Sequence, residues 1–325
     1  MSCISKSNEL REIVYDRIIP LLSDKAILAD APYYNNIGDV LIWQGITDFL
    51  KDNSIRLLKT TSYNTFTFPE LSDDVVILLM GGGNFGDLWR WFQEFRLRVI
   101  ESYPNNRIIM FPQSVWYQDE SLIQKDAEIM SKHKDLHLCA RDQYSYDFMV
   151  RHFSSNDIIL VPDMAFCINE ERLIPYRSRS TDRKLFFKRI DKEMSESTPD
   201  CIGEDTEIHD WPTIERKPGI LWWLGKMCGV AKRLKSMECL AALVYAAVDF
   251  MAFHYLRGKF VRTGCELLAP YCKVITTRLH AMILSILLDK QVDYIDNTTG
   301  KLSAFADTWL NDIDTVTPYA KKSRL

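Results

Sequence analysis

The chain alternates short apolar runs with longer stretches whose apolar residues recur at helical spacing. Asn8 to Leu22 predicts an opening helix, and Ala26 to Ala29 a strand that ends in the polar turn Tyr34 to Asp39. Leu41, Ile42, Ile46, Phe49 and Leu50 then fall on one side of a helix. Ile55 to Leu58 is a strand candidate. Val75 to Met80 is apolar throughout and predicts a buried strand ended by Gly81-Gly82-Gly83. The figure repeats through helix Leu88 to Glu101, strand Arg107 to Phe111, helix Glu120 to Ser131, strand Leu136 to Ala140, helix Tyr144 to Phe153 and strand Ile158 to Val161. Strands alternating with helices over short loops argue for a parallel sheet covered by helices on both faces.

The polar, basic stretch Glu170 to Ser180 contains Pro175 and marks a domain boundary. Leu185-Phe186-Phe187 restarts as a strand. Asp191 to Pro218 is acidic and weakly periodic and reads as an irregular loop, and Gly219 to Ala269 is helical. A second strand, turn and helix figure closes the chain: Val274 to Thr276, then the helix Ala281 to Leu288, then Val292 to Ile295 and a helix from Leu302 to Leu310. A helix apolar on nearly every side must be enclosed by protein. The expected fold class is α/β, with two Rossmann-like domains facing a cleft. They span residues 1–170 and 171–325, the second with an irregular and helical region at 191–269.

A length of 325 residues fits two domains, and a hydrophobic fraction of 47% fills their cores. A net charge of −4 gives no electrostatic footprint for nucleic acid. None of the eight cysteines forms a C-x-x-C pair, and Met1 to Lys6 lacks the apolar core of a signal peptide. A reduced, cytoplasmic protein is expected. Leu240 to Leu256 is apolar but interrupted by Asp249 and His254, short of the ~20 apolar residues of a span, so a buried helix is expected there. Trp222 and Trp223 stand near Lys226, Lys232, Arg233 and Lys235. Such a region suits a bilayer surface or a packed core with a solvated rim, and the second is the preferred expectation.

Candidate chemistry gathers at the predicted strand ends. Gly81 to Asp87 contains G-x-G-x-x-G, but the next strand ends in Phe111-Pro112-Gln113 with no acid to hold a ribose, which argues against a dinucleotide. What remains is a loop whose Gly82 and Gly83 let backbone approach a partner that Asn84 and Asp87 can reach. Asn36, Gly38 and Asp39 form a second strand-to-helix turn, with Asp39 a possible N-cap. Gln113 and Ser114 end one strand, and Arg141 and Asp142 the next. Together they form one rim, where ligands bind in such sheets. Arg141 faces either a bound anion or a structural carboxylate. Arg278 and His280 flank a helix start that Thr276 or Thr277 can cap, another place for an anion. Those two side chains share a side only if the backbone is still extended at Arg278. His133 and His137 lack the glutamate of H-E-x-x-H, no G-x-S-x-G elbow occurs, and no metal is expected.

These motifs, with Pro162-Asp163-Met164-Ala165, Asp296 to Lys301 and Trp309, resemble in order and spacing the polysaccharide pyruvyltransferase family, which transfers a pyruvyl group from phosphoenolpyruvate onto a sugar. The resemblance implies a fold like that of two-domain GT-B glycosyltransferases and a reaction without metal or redox cofactor. It implies that Arg141 and Arg278 clamp the donor's carboxylate and phosphate, that His280 is the acid, and that Leu279, Asn297 and Lys301 complete the donor site. Asn36, Gly38, Asp39, Gly82, Gly83, Asn84, Asp87, Gln113 and Ser114 then form the cleft on the acceptor side, with Asp39 or Asp87 accepting the hydroxyl proton. The acceptor is a sugar or lipid-linked glycan, which allows peripheral contact with the inner face of a membrane. Asp142, Thr277 and Ala281-Met282 depart from the family's usual residues. A glycosyltransferase using a nucleotide sugar and a non-catalytic glycan-binding relative are the competing readings.

Overall fold

Two parallel sheets organise the chain in a computed structural model that describes residues 1–178, 180–190, 206–234, 236–296 and 298–319. The first sheet holds β1 (Lys25–Leu28), β2 (Arg56–Thr60), β3 (Val76–Leu79), β4 (Gly82–Gly86), β5 (Ile108–Trp116), β6 (Leu136–Ala140) and β7 (Asp157–Leu160). Their order is β2-β1-β3-β5-β6-β7, with β4 beside β5. The second holds β8 (Lys184–Phe187), β9 (Thr206–His209), β10 (Lys273–Thr276), β11 (Gln291–Tyr294) and β12 (Val316–Pro318), in the order β12-β11-β10-β8-β9. Continuous apolar runs such as Val76 to Leu79 form strands buried on both faces, the usual condition of a parallel sheet. In each sheet the strand order reverses beside the first strand, between β1 and β3 and between β8 and β10. Loops leaving opposite sides of such a switch point open a crevice at the strands' carboxyl ends.

Helix Ile37–Asp52 and helix Leu279–Leu287 lie at the centre of the core. In the second, every residue but His280 is buried. It packs against helix Ile37–Asp52, the N-terminal helix Cys3–Ile18 and helix Arg257–Leu268. One apolar cluster runs through these helices and reaches both sheets, and a second underlies the other face of the first sheet. Burial of each large aliphatic side chain contributes about 1.5–3 kcal/mol, so this shared helical layer fixes the two sheets against each other. Lys6 of the N-terminal helix also reaches Asp312 at 2.9 Å.

Several expectations change. The N-terminal helix starts at Cys3, with the Ser2 hydroxyl accepting from Ser5 N–H. The segment read as an irregular loop contains β9 and the short helix Pro212–Glu215, while 191–205 lies outside the described residues. Four residues, Thr-Glu-Ile-His, are too few for a periodic signal. Gly82–Gly86 is a strand rather than a turn, and β12 has no apolar run to announce it. Glu238–Leu268 is one continuous helix with a π-turn at Ala252–Leu256, long and apolar enough by length and composition to cross a membrane. It is not the buried helix expected. One face, Ala241, Val248, Ala252 and Leu256, is packed, and the opposite face is exposed.

Candidate active site

A cavity of about 350 Å³ opens where the carboxyl ends of both sheets meet. From the first sheet come Tyr34, Asn36 and Asp39 after β1, Gly83 and Asn84 in β4, and Arg141 after β6. From the second come Arg189 after β8, Trp211 after β9, Arg278, Leu279 and His280 after β10, and Lys301 after β11. Arg141 and Arg278, far apart in sequence, therefore share one chamber.

Each arginine is gripped from behind by a buried carboxylate. Arg141 donates from Nη1 to Asp163 at 3.0 Å and from Nε to Ser114 Oγ at 2.9 Å. Ser114 in turn donates to Asp142, whose other oxygen caps helix Gln143–His152 at Ser145 N–H. Trp309 Nε1 donates to the Arg141 carbonyl at 2.8 Å and ties this turn to helix Lys301–Trp309. Arg278 makes a two-pronged pair with Asp210, its Nη2 lying 2.6 Å from Oδ2. Asp210 also accepts from the backbone N–H groups of Ile190 and Trp211. Both arginines thus have a structural carboxylate as well as a face on the cavity. Side chains so held cost little further entropy when a ligand arrives.

His280 joins the same network. Its Nε2 lies 3.2 Å from the Asp163 oxygen that Arg141 also contacts. Burial alone would raise the Asp163 pKa, but His280, Arg141 and the N–H of Ala165 outweigh it and hold the carboxyl down to about 2. Asp163 is therefore a fixed anion in contact with the imidazole and the Arg141 guanidinium. Arg278 keeps extended backbone (φ −116°, ψ 126°) and the helix begins at Leu279, so Arg278 and His280 both reach the cavity. Neither threonine caps that helix: Thr276 Oγ1 accepts from Arg278 N–H and Thr277 Oγ1 from Arg189 N–H. Its positive end faces the chamber.

Two glycines make room for these groups. A Cβ on Gly38 would stand 2.8 Å from His280 Nδ1, so the imidazole rests directly on that backbone. A Cβ on Gly83 would stand 2.8 Å from Lys301 Nζ and 3.3 Å from Arg141 Nη2, so two cations converge over Gly83. Lys301 also donates to the Gly83 carbonyl at 3.2 Å. Across the chamber Asp39 accepts from Tyr34 and Asn36 on Oδ2. The N-cap of its helix is Asn36, not Asp39. Asn84 Oδ1 is buried with no hydrogen-bond partner among the described residues, an acceptor suited to a ligand donor.

The remaining positions lie elsewhere. Asp87 turns away and accepts from the N–H groups of Gln118 and Asp119, holding the loop after β5. Gln113 is buried and donates to the Met80 carbonyl. Ser114, Gly38 and Gly82 sit behind the lining rather than in it. Asn297 lies outside the described residues. Sequence reasoning missed the carboxylates Asp163 and Asp210 as site members, and Arg189. It also missed an aromatic wall of Tyr34, Tyr63, Trp89, Trp91 and Phe92, whose rings meet edge-on or tilted at 5.2–5.8 Å. The Trp89 and Trp91 pair, just past a glycine-rich segment at a predicted rim, was the available signal.

The chain is similar to known proteins along most of its length. A family model described as polysaccharide pyruvyl transferase matches residues 36–298. The chain is 33% identical over 303 residues to "Putative pyruvyl transferase EpsO" of Bacillus subtilis, covering 91% of this chain and 88% of that one. It is 26% identical over 311 residues to "Pyruvyl transferase 1" of Schizosaccharomyces pombe, covering 88% and 70%. A crystal structure of an uncharacterized Klebsiella pneumoniae protein shares the fold, with a TM-score of 0.61, 17% identity, and coverage of 93% and 96%.

Proposed function

The chain belongs to the polysaccharide pyruvyl transferase family, and we propose that it moves a pyruvyl group from phosphoenolpyruvate onto two hydroxyls of one sugar, in a polysaccharide or its lipid-linked precursor, to form a ketal. The observation that carries this reading is the shared chamber of Arg141, Arg278 and His280, with Lys301 beside Arg141. Phosphoenolpyruvate carries a carboxylate and a phosphate, and a chamber with guanidinium groups on facing walls suits a small double anion.

In this reading His280 gives its proton to the methylene carbon of the enol, which becomes a methyl group. The adjacent carbon becomes electrophilic, its charge shared with the ester oxygen. A sugar hydroxyl attacks that carbon and passes its proton to Asp39, whose Oδ2 is already held by Tyr34 and Asn36. Phosphate leaves with the proton held by Asp39, a second hydroxyl of the same sugar attacks and returns its proton to His280, and the ketal closes. Asp163 supports the imidazolium before transfer. The cations stabilise the departing phosphate. The aromatic wall suits the apolar face of a sugar ring, and Asn84 Oδ1 an acceptor hydroxyl. We read the two sheets as the GT-B-like pair of domains 1–170 and 171–325, with the N-terminal helix crossing to the second half.

The test is phosphate release from phosphoenolpyruvate with and without a glycan acceptor, and with UDP-sugars as competitors. Release that requires the acceptor and ignores UDP-sugars supports the reading. Transfer from a UDP-sugar, with phosphoenolpyruvate inert, replaces it with glycosyl transfer.

A further inference from the structure

Helix Gly219–Arg233 and the first half of the long helix, Glu238–Met251, pack together as a hairpin. Its inner side is anchored: Asp249 accepts from Thr65 Oγ1 at 2.6 Å and from the Tyr33 hydroxyl at 3.2 Å. Its outer side is apolar and, among the described residues, uncovered. Leu240, Leu243, Ala247 and Phe250 recur at three- and four-residue spacing on an exposed stripe, Leu243 at 66% and Phe250 at 56% exposure. Trp222 and Trp223 are 53% and 60% exposed on the other helix. The expected packed core is absent there. Because the opposite stripe is packed and carries Asp249, the long helix lies along the protein and cannot cross a bilayer as it stands.

The charge around this surface is mostly basic, with the exposed Glu238 at the start of the long helix set against it. From Arg216 to Met237 the chain carries Arg216, Lys217, Lys226, Lys232, Arg233 and Lys235 and no acidic residue. Lys226 Nζ stands 5.2 Å from the centre of the Trp222 ring, which meets Trp223 edge-on at 4.8 Å. Exposed indoles interleaved with cations fit a plane that is anionic outside and apolar beneath, where the rings enter the headgroup boundary and the amines stay at the phosphates. A second copy of this chain offers no such match, since the same surface would bring basic patch against basic patch.

We propose that this hairpin docks the protein on an anionic phospholipid surface, through Trp222, Trp223, Leu243 and Phe250 with the basic residues Lys226, Lys232 and Arg233. Tyr34 and Tyr63 of the cavity adjoin Tyr33 and Thr65, which hold the hairpin's root. The docked protein therefore keeps its cavity beside the lipid. The consequence that an acceptor carried on lipid is within reach rests on the pyruvyl-transfer reading; the docking itself does not.

Flotation of the full chain with vesicles of phosphatidylcholine, alone or mixed with phosphatidylglycerol, tests the docking without any turnover. The protein should float with the mixed vesicles only, and less at high salt. Trp222→Ser with Trp223→Ser should lower partitioning roughly tenfold or more. Lys226→Glu with Arg233→Glu should do the same, at roughly fivefold per charge removed. All four positions are exposed, so wild-type thermal unfolding is expected in both variants. Failure to float with anionic vesicles overturns the proposal, as does equal flotation of the substituted proteins. Self-association in sedimentation that the same substitutions abolish, with vesicles left bare, overturns it in favour of a second copy.

Discussion

Asp163→Asn separates the electrostatic account of the site from a purely steric one. Asp163 is buried, touches Arg141 and His280 through one oxygen and accepts from Ala165 N–H through the other. Its carboxyl is held at about 2 against an ordinary 3.8, which corresponds to about 2 kcal/mol of stability. The folded value is depressed, so the stabilisation is complete above about pH 4 and is lost as pH falls from there through about 2. Asparagine keeps the shape and one acceptor but loses the charge. Urea unfolding at pH 7 should therefore show the variant about 2 kcal/mol less stable, or more where Arg141 stays unpaired. The gap should narrow steadily on acidification. Activity should fall roughly tenfold to a hundredfold, because the imidazolium loses its supporting anion. A variant as stable as the wild type at pH 7, or a deficit that does not change with pH, refutes the reasoning.

Other perturbations read other parts of the site. Gly38→Ala places a methyl group 2.8 Å from His280 Nδ1 and 2.9 Å from its Cβ, so His280 must shift: kcat should fall roughly tenfold or more, with a lowered midpoint of thermal unfolding beside it. Gly83→Ala presses on Lys301 and, less closely, on Arg141; the KM for phosphoenolpyruvate should rise more than kcat falls in steady-state assays. Asp249 has its pKa raised to about 6, chiefly by burial. Its ionisation therefore burdens the folded state above about pH 6 and not below about pH 4. Asp249→Asn should raise stability by up to about 3 kcal/mol at pH 8 in urea unfolding, and the gain should vanish at pH 4.

Local pattern revealed β3 and the first part of β5, Ile108 to Phe111, because parallel strands buried on both faces are written as apolar runs, and it revealed β6 despite His137 within it. It also exposed Arg141, which directly follows β6 and so stands at a carboxyl end, and Arg278 and His280 at the start of the helix after β10. Partners were another matter. Asp210 follows a four-residue strand with one apolar residue, inside a segment that reads as loop, and nothing near it in sequence names Arg278. Asp163 lay inside a recognised motif, but its grip on His280 joins positions 117 apart. Asp39 and Asp87 look alike as acids after glycine-containing turns; only the direction of the chain after β4 sends Asp87 to the backbone of Gln118. The hairpin shows a limit of another kind. Helical periodicity marks apolar faces, and it cannot say which of them the rest of the chain covers.

The central claim is that Arg141 and Arg278 hold one donor between them, and calorimetric titration with phosphoenolpyruvate tests it most directly. Wild type should bind, and Arg141→Met and Arg278→Met, each verified as folded by circular dichroism, should each weaken binding roughly tenfold to a hundredfold, as expected for loss of a charge-assisted hydrogen-bonded pair worth about 1.5–3 kcal/mol. Binding of undiminished strength in either folded variant, or none in the wild type at millimolar donor, contradicts it.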